Sequence, residues 1–222
     1  MPASSGNVQD LIWVDETPWE DSDAHWWMLE LGGTWRHLIY RRRSRRVLGQ
    51  AETRLDPPRR DAVFRALDES GFFELAPQHP PPGVPVEGDI VVMMARASGR
   101  SHRIVARPPE FLPGPLARLI DRLRDAGAGV AAGPPAPGYW RAERLDAARA
   151  ERVRRRALLP HRRLDKEAPS PPSLSQAVAD PGVWVAIGSE EVERSREVAG
   201  ERGEVVLEGP AASWLVELWH GN

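Results

Sequence analysis

Residues 56–73 read DPPRRDAVFRALDESGFF, and this stretch decides the fold class. Asp56 is an N-cap residue, and Pro57 stands at the first helical position, where its missing N–H costs nothing. Val63, Phe64 and Leu67 recur at helical spacing and give the helix one apolar face. Gly71 is the expected left-handed residue after the last turn, and Phe72 can close the cap against it. Phe73 and Leu75 are core candidates beside the helix. A helix that is apolar on one side needs a layer to cover, and the flanking sequence offers strands.

Upstream, Trp26–Glu30 and Trp35–Tyr40 read as strands about a Gly32-Gly33 turn. The run Arg41, Arg42, Arg43, Ser44, Arg45, Arg46 reads as a hairpin tip, with Val47–Arg54 returning. Downstream, Pro77, Pro80, Pro81, Pro82 and Pro85 stiffen a loop over 76–88. Asp89 opens the strand Ile90–Ala97, Ser98-Gly99 turns it, and His102–Ala106 returns. Pro113 and Pro115 start a second helix with the stripe Leu116, Leu119, Ile120 and Leu123. The expectation is an α+β fold: a small antiparallel sheet with two packed helices, followed by a basic helix and a small α/β module.

Composition shifts set the expected boundaries. Residues 1–24 form an acidic, tryptophan-containing arm, and 25–126 the α+β domain. Residues 127–138 (GAGVAAGPPAPG) form a Gly/Pro linker, and 139–164 hold a basic helix over roughly 140–159 with a thin face of Ala142, Leu145, Ala148 and Val153. A second linker covers 165–173. The α/β module spans 174–222, ending in the apolar stretch Trp214–Trp219. Ser189 reads as an N-cap, with Glu190 and Glu191 favoured by the dipole of the first turn.

The chain has 222 residues, 30 basic and 32 acidic side chains, and a formal charge of −2. The near-neutrality hides segregation. Asp10, Asp15, Glu16, Glu20, Asp21, Asp23 and Glu30 precede the first base, Arg36, and the arginines concentrate in 31–60 and 131–170. With no cysteine, disulfide scaffolds, thiolate zinc sites and cysteine nucleophiles are excluded. The apolar runs fall far short of a membrane span, and the first residues lack the basic and apolar regions of a secretory signal, so the expectation is a cytoplasmic protein without membrane contact.

The stretch from about 26 to 125 resembles the emfourin family of metalloprotease inhibitors and a related uncharacterised domain of bacterial lipoproteins. The shared pattern is the Gly32-Gly33 turn and strand pair, then a helix ending in Gly71-Phe72-Phe73. Next come Asp89 opening the apolar strand Ile90–Met94, a basic strand, and a proline-led helix from Pro115 to Leu123. The resemblance implies a fold of this kind and, as one reading, inhibition of a thermolysin-type metalloprotease. It covers under half of the chain and departs from emfourin in the long proline loop and in the final third, for which no family is recognised.

No catalytic signature stands out, and catalytic, cofactor and metal residues are all expected to be absent. The six histidines show no i,i+4 pair and no H-E-x-x-H pattern, and there is no G-x-S-x-G elbow. The glycines Gly127, Gly129 and Gly133 follow a helix, so they fail the strand-then-helix context of a dinucleotide fingerprint. The interaction candidates are Arg41, Arg42, Arg43, Arg45 and Arg46 at the hairpin tip, Trp13 and Trp19 in the arm, and Arg154, Arg155 and Arg156 in the basic helix. Arginine forks suit carboxylate or phosphate, and tryptophan is enriched at binding hot spots. The expected function is that of a non-catalytic interaction or regulatory protein. It would hold another protein through its charged arm, proline loop or arginine hairpin. Nucleic-acid binding through the arginine blocks is the alternative.

Overall fold

A computed structural model describes residues 10–20, 22–83, 87–107, 111–154, 161–163, 172–200, 203–208 and 212–221. The chain divides into two compact units, 1–43 with 49–133, and 44–48 with 134–222. Strand dominates: among the described residues there are twelve strands, and the longest of the five α-helices has 13 residues.

In the first unit, β1 (Leu11–Thr17), β2 (Ala24–Glu30), β3 (Thr34–Arg41) and, from Gly49 on, β4 (Arg46–Arg54) precede helix α1 (Pro57–Glu69). Then come β5 (Gln78–His79), β6 (Ile90–Ala97), β7 (Arg100–Ala106) and helix α2 (Gly114–Ala126). The strand order is β4-β3-β2-β1-β6-β7-β5. β2–β3, β1–β2, β1–β6 and β6–β7 pair antiparallel, and β5 runs parallel to β7. The expected small sheet is therefore a large mixed one, and the expected arm is its middle strand. Leu11, Ile12, Trp13 and Val14 are a short continuous apolar run, the signature of a strand buried on both faces, and all four are buried. The acids that made this segment look like solvated chain are accommodated locally, Asp15 by Tyr40 and Glu16 by Arg124.

Both helices pack on one face. Val63 and Leu67 of α1 and Leu116, Leu119, Ile120 and Leu123 of α2 share a core with Ile12, Val14, Trp27, Leu29, Val91, Met93 and Ile104. Asp56 caps α1 by accepting a hydrogen bond from the Arg59 backbone N–H at 2.9 Å, and Gly71 follows it with φ +64°. The Trp35 indole donates to the Leu123 carbonyl at 2.8 Å, fixing the last turn of α2 to the sheet.

The second unit contains β8 (Gly138–Leu145), α3 (Ala147–Arg154), β9 (His161–Arg163), α4 (Pro172–Ala179), β10 (Trp184–Ile187), α5 (Val192–Ala199), β11 (Glu204–Glu208) and β12 (Ser213–Gly221). β12 lies between β8 and β11, β10 pairs with β8, and β9 pairs with β11 in parallel. Residues Arg46 and Val47 also belong here, in parallel register with His220 and Gly221. The core joins Trp140, Ala142, Val185, Ile187, Val205, Leu207, Val216 and Leu218 with Leu174, Ala177 and Ala199 from the helices.

The long basic helix expected over roughly 140–159 is not what the described residues form: its first part is a strand. Trp140 and Ala142 lie on β8 opposite Leu218 and Val216, and the helix begins only at Ala147. Asp146 starts it, accepting from the Arg149 backbone N–H at 2.7 Å. Ser189 does not cap α5. It begins a short 3-10 turn whose preceding residue, Gly188, has no side chain to offer. The expected linker at 165–173 lies outside the described residues, apart from Pro172 and Ser173, which open α4. The unit boundary at 133/134 falls inside the expected linker 127–138.

Candidate interaction cleft

One end of the first sheet gathers several strand ends. Thr17, the last residue of β1, pairs with Ile90, the first of β6. Ala24, the first of β2, pairs with Tyr40 near the end of β3. Pro18 follows β1 and has no N–H to continue its ladder, and the β3–β4 turn begins two residues beyond Tyr40.

These ends enclose an open cleft of about 350 Å³ lined by Thr17, Trp19, Glu20, Arg42, Arg43, Ile90 and neighbouring backbone. Trp19 is 62 % exposed, the most exposed large apolar side chain described. Its backbone is held: the Trp19 N–H donates to Asp89 Oδ1 at 2.9 Å. Arg42 and Arg43 are exposed, and among the described residues Arg42 has no hydrogen-bond or ion-pair partner. Beneath the cleft, Asp15 is buried and accepts from the Tyr40 hydroxyl at 2.5 Å and from Thr17 Oγ1 at 3.3 Å. That network ties Thr17 and Asp15 of β1 to Tyr40 of β3, across the intervening β2.

The other interaction candidates separate. Trp13 is 3 % exposed within β1 and presents no surface to a partner, which corrects its selection. Arg41 is spent on an ion pair with Asp23 at 2.9 Å, so one acid of the N-terminal segment does meet one arginine of the hairpin. Arg45 and Arg46 belong to the second unit, where Arg45 pairs with Glu204. Arg154 closes α3, but its side chain, with Arg155 and Arg156, lies outside the described residues.

A second cluster in the first unit escaped the sequence reading. His25, Trp27 and His37 stack, with ring centroids 5.0–5.4 Å apart, and His25 Nδ1 lies 3.0 Å from His37 Nε2. The Arg124 guanidinium sits 5.0 Å from the Trp27 ring and pairs with Glu16. Burial, with His25 beside it, lowers the His37 pKa to about 4. Burial also lowers that of His25, aided by Arg124 and opposed by Glu16 and Asp23. The usable signal was symmetry: residues 27 and 37 stand equally far from the Gly32 turn, and so pair. Among the described residues no group of three or more histidine or acidic side chains is placed to hold a metal.

No protein-family model and no curated protein matches the chain. Among the described residues no helix is long and apolar enough to cross a membrane.

Proposed function

We propose that this is a non-catalytic interaction protein that holds a partner protein at the strand-end cleft. One observation carries the reading: Trp19, the described tryptophan most open to solvent, shares a cleft with Arg42 and Arg43. Tryptophan is among the side chains that most often anchor an interface. The cleft also draws on each segment expected to bind: Trp19 from the acidic arm, the arginines from the hairpin, and Gly88 from the proline loop. Its chemistry is that of recognition, with guanidinium forks, an aromatic face, the hydroxyls of Thr17 and Ser22 and the Glu20 carboxylate.

A photo-crosslinking amino acid placed at position 19 tests the proposal in the native host. The expected product is one covalent adduct with a defined protein, lost when Arg42 and Arg43 are both changed to Ser. Absence of any adduct from position 19, with the folded protein present, would refute the reading. The resemblance to emfourin makes a thermolysin-type protease one partner to assay directly. No inhibition at micromolar protein removes that partner alone.

A further inference from the structure

We infer that the cleft's ligand is an acidic peptide segment bearing an aromatic side chain, the ring laid on Trp19 and a flanking carboxylate on Arg42. This rests on the cleft being the partner site. The ring requirement comes from Trp19: its backbone is held by Asp89, and its largely solvent-exposed indole offers an aromatic face to another ring. The carboxylate requirement comes from Arg42, which is exposed and unpartnered among the described residues, while the adjacent Arg41 is already neutralised by Asp23. Guanidinium groups bind carboxylates through paired, charge-assisted hydrogen bonds.

The surroundings argue against a nucleic acid. Glu20 lines the same cleft, and Asp89 and Asp23 stand beside it. A nucleic-acid backbone is acceptor-only and can offer these carboxylates no hydrogen bond, whereas a peptide has backbone N–H groups to turn toward Glu20. A volume of about 350 Å³ is at the small end for ligand sites, enough for one anchoring side chain and its neighbours rather than a folded surface.

The test is a titration followed by the Trp19 indole N–H resonance, assigned through its loss in Trp19→Phe. The probes are the synthetic peptides EDYDE, EDADE and KKYKK and a short oligothymidylate, each up to about 1 mM. EDYDE is expected to shift the resonance, with EDADE and KKYKK weaker by about tenfold or more. Arg42→Gln should weaken EDYDE by about three- to tenfold, and Arg46→Gln should leave it unchanged. An equal response to KKYKK or EDADE, tighter binding of oligothymidylate, or no shift with any probe overturns the ligand class. A crosslinked partner at position 19 combined with any of those results would leave the cleft as the partner site and reject only its assigned ligand.

Discussion

Gly127 sits where no side chain fits. A Cβ there would stand 2.2 Å from the Trp35 ring, and that ring is fixed by its hydrogen bond to the Leu123 carbonyl. Its φ of −98° is open to any residue, so the constraint is steric rather than conformational. Gly127→Ala is expected to cost about 2–3 kcal/mol in a urea melt, by overpacking a filled core. The ring stack gives a second expectation at this scale. His25 and His37 both have folded pKa values below 6.5, so between about pH 4 and 6.5 the unfolded chain binds more protons than the folded one. Their contribution is complete above about pH 6.5 and is lost as pH falls toward 4. Half-burial reduces the effect to about 1–2 kcal/mol. Denaturation at pH 7 and pH 4.5 should show this extra loss in the native protein and a smaller one in His37→Leu. Equal losses in both would remove the stack as the cause.

At the scale of the element, β1 and β8 show what the sequence conveyed and where it misled. The helices α1 and α2 were legible because caps, prolines and a 3.6-residue stripe all agreed. β1 carried an equally good signal in Leu11–Val14, but the surrounding acids outweighed it, and their partners lie far along the chain. Glu16 finds Arg124, and Asp23 finds Arg41. β8 was lost to composition. Arginine, glutamate and alanine favour helices, and only pairing with β12 reveals that Trp140 and Ala142 point into a core. The cleft was half legible: Trp19, Arg42 and Arg43 were singled out, while their meeting with Thr17, Glu20 and Ile90 depends on the registers of β1 with β6 and β2 with β3. Amide exchange is expected to place Ile12–Val14 among the slowest positions, since β1 is paired on both sides. Fast exchange there would restore the arm. Trp140→Ala should cost about 3–5 kcal/mol, against under about 0.5 kcal/mol for the exposed Arg144→Ala.

At the scale of the whole molecule, the second unit is assembled from two separated stretches of chain. Residues 44–48 belong to it, with Arg46 and Val47 in register with His220 and Gly221, and Arg45 bound to Glu204. Proteolysis in the exposed run 131–134 should therefore yield two fragments that co-elute under native conditions, because the N-terminal piece carries five residues of the other unit. Separate elution would show that those residues contribute no holding energy. The arrangement also bears on how such a protein can be inherited. A unit whose residues lie in one run can be moved between genes by a single exchange. Here a crossover near codon 134 would transfer most of the second unit and leave its hairpin piece behind, so the halves are constrained to diverge together.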